Sequence, residues 1–203
     1  MREFIYFSQH ARTSGNFDDL MRAGRMDIVC HIVIGSFFLS EQVRQDVKLH
    51  LIFYGMPDPP KHLEMIPGKV IPETGRQAGK EGIDISKKDI AGLIKRMLFK
   101  YKEGRKHEVY PGYFIEKKGF WQVIEELQAE GKQLFVLDDR GEDIRTANIP
   151  KDCVFIMGDH AGLPGKELKR LKKIATPVSV GPKTYFASQT LTIVQNELDR
   201  RGI

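Results

Sequence analysis

Two short stretches late in the sequence carry residues that could do chemistry. In Phe155-Ile156-Met157-Gly158-Asp159-His160-Ala161-Gly162-Leu163-Pro164 an apolar run gives way to a loop with glycines at 158, 162 and 165. Glycine lets backbone turn sharply and approach a ligand closely. In Ser179-Val180-Gly181-Pro182-Lys183-Thr184-Tyr185-Phe186-Ala187-Ser188 a strand end passes through a Gly-Pro turn into a helix start. Backbone amides in such a turn can hold a ligand carboxylate. Spacing alone equally allows two ordinary turns, the second with Thr184 as helix N-cap. Arg25 and Asp27 form a third group, ahead of an apolar segment. On the residues alone, Asp27 would cap that segment with Arg25 as a solvated pair to it.

Other chemistries lack their residues. The sequence has no G-x-x-x-x-G-K-[ST], no G-x-G-x-x-G after a strand, no H-E-x-x-H and no G-x-S-x-G, so P-loop, Rossmann, zinc-protease and serine-hydrolase sites are not expected. The histidines at 10, 31, 50, 62, 107 and 160 show no metal-ligand spacing, and no metal is expected. Cys30 and Cys153 lie far apart and form no disulfide framework, which points to a reducing cytoplasm.

The elements that must position these residues can be read from apolar periodicity. Strands are predicted over 3–8, 47–54, 133–137, 153–157 and 176–180, with a hairpin excursion over 65–71 around Pro67-Gly68. Ile28 to Leu39 reads as a buried helix. A second helix begins at Ser86, where Ser86 and Asp89 resemble a capping box, and continues through Tyr101 until Gly104 stops it. A third carries Phe120, Val123, Ile124 and Leu127, and a short basic one runs over 166–173. The last shows Ala187, Leu191, Val194 and Leu198 on one face. That stripe is either a dimer interface or intramolecular core. Apolar strands alternating with helices predict an α/β fold, a mostly parallel sheet with helices on both faces. Ligands in such sheets bind beyond the carboxyl ends of the strands, here the loops 138–146, 158–165 and 181–185. His31 is expected in the core, His160 in a structural role, Phe120 and Trp121 in the core, and Tyr185 and Phe186 in packing rather than on a base.

Composition agrees with one soluble domain spanning 1–203. Of 203 residues 41% are hydrophobic and 29% charged, with a net charge of +5 and a pI of about 9.1, which permits an anionic partner without requiring one. The longest uncharged run lies between Asp27 and Glu41, short of the roughly 20 residues that a bilayer needs. The start Met1-Arg2-Glu3-Phe4 has no signal-peptide pattern. Membrane and secreted classes are therefore not expected. Basic residues gather at Lys87, Lys88, Lys95, Arg96, Lys100, Lys102, Arg105 and Lys106, with Asp89 and Glu103 opposing. Such a face is either simply solvated or an RNA footprint.

Taken together, Met-Arg-x-Phe-Ile at the start, Gly-Arg-x-Asp-Ile at 24–28, Leu137-Asp138-Asp139-Arg140-Gly141-Glu142, Met-Gly-Asp-His-x-Gly at 157–162 and Val-Ser-x-Gly-x-Lys-x-Tyr-x-Ala-Ser at 178–188 resemble the SPOUT methyltransferases. Within that class the chain is most similar to the TrmY family of archaeal tRNA pseudouridine(54) N1-methyltransferases. The resemblance covers the whole chain. It implies a SPOUT α/β-knot with a C-terminal trefoil knot over about 132–203, S-adenosylmethionine (SAM) as cofactor, tRNA as partner, a homodimer with a shared site, and no metal. By it, Leu137, Gly158 and the turn Val180, Gly181, Pro182, Lys183, Thr184 and Tyr185 would contact SAM, with adenine against Leu163 and the final helix. Arg25 and Asp27 would be the catalytic pair, the arginine meeting RNA and the acid organising its loop. The family pattern has a cysteine soon after Ala-Ser. This chain reads Ala187-Ser188-Gln189-Thr190, and Thr190 would fill that space with a hydroxyl. The alternatives are a methyltransferase of the same class acting on another RNA position, such as a ribosomal RNA pseudouridine, and a non-catalytic RNA-binding protein with this fold.

Overall fold

The computed structural model describes residues 1–67 and 86–203. Its elements run β1 (Arg2–Ser8), α1 (Met26–Phe37), β2 (Val47–Phe53), β3 (Lys61–Met65), α2 (Lys87–Phe99), β4 (His107–Tyr110), β5 (Tyr113–Glu116), α3 (Phe120–Ala129), β6 (Gln133–Asp143), β7 (Cys153–Met157), α4 (Gly165–Leu171), β8 (Thr176–Ser179) and α5 (Ala187–Arg201). Among the described residues the strands form one sheet in the order β4-β5-β3-β2-β1-β7-β6-β8. The five strands from β2 to β8 in that order are mutually parallel, while β3, β5 and β4 add an antiparallel flank.

Alternation along β1 shows why helices cover both faces. Phe4 and Tyr6 point into one core with α1, α2 and α5, while Ile5 and Phe7 point into a second with α3 and α4. A strand buried on both sides must be apolar at nearly every position, and all seven residues of β1 are buried. The predicted α/β sheet is thus present.

Several local expectations are corrected. The segment 138–146 is largely strand rather than loop. β6 leaves the sheet after Leu137 and rejoins it at Glu142, both residues pairing with Val178 of β8, so 138–141 bulge outward while the strand continues. The antiparallel strands β3, β4 and β5 were not anticipated, because β4 and β5 have four residues each, too few to display a period. The predicted excursion over 65–71 divides: Met65 closes β3, and residues 68–71 lie outside the described ones. α2 has the expected capping box, with the Asp89 N–H donating to Ser86 Oγ and the Ser86 N–H to Asp89, but it ends at Phe99 rather than including Tyr101.

His31 is exposed on the outer face of α1, not in the core. Phe120 is core, whereas Trp121 is half-buried and bridges to α4, its Nε1 donating to Glu167 at 2.5 Å and its ring lying 3.6 Å from the Arg170 guanidinium. The stripe on α5 is intramolecular core: Leu191, Val194 and Leu198 are fully buried in the cluster that includes α1. Gly35 of α1 lets the two helices touch, since a Cβ there would stand 3.3 Å from Leu191 Cδ2. Beside it Gln195 donates to the Ser36 carbonyl at 3.0 Å and accepts from Arg2 at 2.9 Å. None of the helices in the described residues is long and apolar enough to cross a membrane.

Candidate functional site

The exits of β6, β7 and β8 open into a cavity of about 540 Å³, within the range of small-molecule sites. Apolar walls come from Leu137, Met157, Leu163, Leu168 and Val178, with Ile28 entering from the first turn of α1. The rim carries Asp138 and Asp139 on one side and Lys183, Thr184 and Tyr185 on the other.

Each loop is held by its own hydrogen bonds. After β7, Gly158 passes so close to the returning chain that a Cβ would lie 2.3 Å from the Gly162 carbonyl carbon and 2.4 Å from the Leu163 nitrogen. Gly162 adopts a φ of 78° and donates to the Asp159 carbonyl at 2.8 Å. The buried Asp159 carboxylate accepts from Ser8 Oγ and the Gln9 N–H, each at 3.0 Å, and from the Ala161 N–H at 2.9 Å. It staples this loop to the exit of β1 and has little capacity left for other work. His160 is exposed, its ring 5.6 Å from that of His10.

After β8 the chain turns at Gly181, whose φ of 133° suits glycine alone. Ser179 Oγ accepts from the Gly181 N–H and donates to the Gly181 carbonyl, both at 3.2 Å. Thr184 does not cap α5. The N-cap is Phe186, whose N–H donates to Gln189 Oε1 at 3.1 Å. Tyr185 and Phe186, expected in packing, are 40% and 62% exposed. At the β6 bulge, burial would raise the Asp138 carboxyl, but the Lys172 ammonium at 2.6 Å and the Arg140 N–H outweigh it and hold the group below its ordinary range.

Of the residues singled out from the sequence, Leu137, Gly158, Leu163, Val180 and Gly181 line the cavity, as do Lys183, Thr184, Tyr185 and Thr190. Pro182 sits in the turn without reaching the lining. Arg25 and Asp27 do not reach it either. They form a bidentate pair, Nε to Oδ1 and Nη2 to Oδ2, each at 3.0 Å. Asp27 lies in the first turn of α1, and the N-cap is Arg25 itself, in the left-handed region at φ 62°. A non-glycine residue held there is strained by about 1–3 kcal/mol. The hydrogen bond from Arg25 holds the Asp27 carboxyl below its usual range. Nothing in the local sequence around Ile28 or Leu168 announced that they would line this cavity; helix packing brings them there.

A basic edge lies along α2 and beyond it. Slight burial and then the charges of Lys102, Arg105 and Lys100 push the His107 imidazolium down. Lys95 is paired with Asp18 and Lys106 with Glu64.

Comparison with known proteins matches residues 1–203 to a family described as "Putative SAM-dependent RNA methyltransferase". A protein of Methanocaldococcus jannaschii named tRNA (pseudouridine(54)-N(1))-methyltransferase is 33% identical, the match covering 100% of this chain and 98% of that one. One of the same name from Pyrococcus abyssi is 32% identical over 100% of both chains. Among solved structures, Nep1 of Archaeoglobus fulgidus bound to S-adenosylhomocysteine aligns over 98% of each chain with a TM-score of 0.57 and 14% identity, a likeness of fold.

Proposed function

The chain belongs to the SAM-dependent RNA methyltransferase family that spans its whole length, and from that premise we propose that it methylates N1 of pseudouridine 54 in tRNA. The observation that carries this reading is agreement along the full chain with relatives bearing that name. The cavity at the three strand exits supports it. Its walls suit an adenosine: apolar side chains face a flat ring, a turn of backbone offers amides and carbonyls, and Gly158 leaves no bulk between loop and ligand.

Bound SAM supplies an electrophilic methyl on a sulfonium. In this reading Leu137, Gly158, Leu163 and Val180 form the floor of the cofactor site. Gly181, Lys183, Thr184 and Tyr185 form its turn, shaped by Pro182, and Thr190 contributes a hydroxyl from α5. The chain's main task is alignment, bringing N1 of the base in line with the methyl, and positioning of this kind can supply much of the rate. The N1 proton passes to solvent, because the carboxylates of Asp27 and Asp159 are both occupied by hydrogen bonds. Negative charge then grows on the uracil oxygens, where the Arg25 guanidinium stabilises it. The strained backbone at Arg25 supports a role beyond capping.

We extend the proposal to a homodimer with a shared site, to the trefoil knot over 132–203 that the family resemblance implies, and to a cytoplasmic setting. Arg25 lies outside the lining, while Tyr185 and Phe186 are in it and remain exposed, an arrangement that a second copy would complete. The basic edge at Lys100, Lys102 and Arg105 is suited to the tRNA backbone.

The direct test is incubation with SAM and tRNA carrying pseudouridine at position 54, followed by nucleoside analysis. N1-methylpseudouridine at that position is expected. Methyl on another nucleoside, or none, would overturn the assignment. Mixing Arg25→Ala and Gly158→Trp chains tests the shared site: recovered activity is expected, and its absence argues for sites complete within one chain.

A further inference from the structure

Away from the cavity, strand pairing assembles a group that the sequence conceals. His50 and His62 are separated by 12 positions, a spacing that matches no metal motif. In the sheet, however, His50 of β2 stands opposite Glu64 of β3, and His62 stands opposite Glu116 of β5. Both imidazoles are almost fully buried, and His50 Nδ1 faces His62 Nε2 at 2.9 Å. The outer nitrogens are engaged as well, His50 Nε2 with Glu3 at 3.0 Å and His62 Nδ1 with Glu116 at 3.0 Å. One ring nitrogen of each histidine and a Glu64 carboxylate oxygen lie within 4.8 Å of one another.

Counting protons exposes a deficit. The row Glu3, His50, His62, Glu116 contains three contacts, each needing one proton, and a pair of imidazoles in the neutral form would carry two. If each histidine donates outward to its carboxylate, two lone pairs face each other across 2.9 Å, an arrangement that a cation between them would relieve. Both carboxylates also face lysine ammonium groups, Glu3 that of Lys132 at 3.0 Å and Glu116 that of Lys118 at 2.9 Å. A histidine whose outer N–H is fixed by a carboxylate, leaving its other nitrogen as a bare donor, is the arrangement that orients metal ligands.

We propose that His50 Nδ1, His62 Nε2 and the Glu64 carboxylate form a binding site for a divalent transition-metal ion of the zinc class, with Glu3 and Glu116 as its outer supports. Two nitrogens and a carboxylate suit that class. Zinc–nitrogen bonds of about 2.0–2.1 Å in tetrahedral array set the nitrogens about 3.3 Å apart, so the ion enters when the pair opens and its nearly parallel rings turn toward a common point. Glu64 is held by Lys106 at 2.9 Å. That lysine is at the surface, and its release toward solvent frees the third ligand. Lys48 and Lys132 against Glu3, and Lys118 against Glu116, complete the charged surroundings. The site lies across strands β1, β2, β3 and β5, and its role is to clamp the antiparallel flank to the parallel sheet.

Calorimetric titration of the chelator-treated full chain with Zn2+, and with Co2+ as a visible-absorption probe, tests this. One ion per chain, tetrahedral Co2+ bands and a raised Tm are expected. Glu64→Gln should weaken binding by at least about tenfold, and Lys106→Met, which removes the competing cation, should tighten it. Absence of saturable binding by a chain folded by circular dichroism overturns the site, leaving a pair bridged by a proton. So does unchanged affinity in Glu64→Gln. If Glu64→Gln fails to fold, unchanged affinity in Lys106→Met overturns it instead.

Discussion

The glycines at the cavity act by two different physical means, and substitution separates them. At Gly158 the restriction is steric, with a Cβ driven to 2.3 Å from the Gly162 carbonyl carbon. At Gly181 the space is open but φ is 133°, so the restriction is conformational. Gly158→Ala is expected to cost about 1–3 kcal/mol of stability through overpacking and to weaken S-adenosylhomocysteine binding, because the β7 loop must move. Gly181→Ala incurs only backbone strain, of order 1–3 kcal/mol, while also misdirecting the turn toward the ligand. Thermal melts with and without S-adenosylhomocysteine, together with calorimetry, check both; tight binding by Gly158→Ala would exclude that loop from the cofactor site. Asp159 offers a related test. Its carboxylate satisfies Ser8 Oγ and two backbone N–H groups, and Asp159→Ala would leave buried donors unpaired at about 1–3 kcal/mol. A marked fall in Tm is expected alongside loosened cofactor binding.

Among the elements, α2 and α5 show how differently helices are stabilised. α2 begins with a reciprocal cap between Ser86 and Asp89 at the surface. Ser86→Ala is expected to cost about 1 kcal/mol, seen in chemical denaturation, with methyl transfer unchanged. α5 is held by burial instead. Leu191, Val194 and Leu198 are excluded from water and pack toward α1 at Gly35. Leu191→Ala opens a void in a closed core and is expected to cost about 2–5 kcal/mol. Because that stripe packs within the chain, the damage should appear as a lower Tm, with the oligomeric state unchanged. The β6 bulge belongs to this scale too. Gly141 crosses β8 with room for no Cβ, at 2.5 Å from the Val178 nitrogen, and so returns the strand to register after carrying Asp138 and Asp139 to the rim.

For the whole molecule, the relevant quantity is the distribution of a net charge of +5. Lys100, Lys102 and Arg105 follow α2 and their charges lower the His107 imidazolium, so neutralising them should weaken tRNA binding without regard to sequence. Replacing all three by Gln is expected to flatten the dependence of log K on log salt by about one for each phosphate contact removed. Filter binding across a salt series measures it, and an unchanged slope would move the RNA footprint elsewhere. What the sequence by itself determined was local. Apolar runs identified the parallel strands, a serine and an acid three apart identified the start of α2, and the motifs around Gly158 and Gly181 indicated the loops that line the cavity, because strand burial, capping and tight turns are each set by a few adjacent residues. The tertiary structure alone decided what depends on distant segments meeting. It brought Ile28 to the cavity, exposed His31 and Phe186, buried the stripe on α5, continued β6 past its bulge, and joined His50 to His62. Each of these follows from which surfaces pack together, and a single linear pattern carries no record of its partner across the sheet.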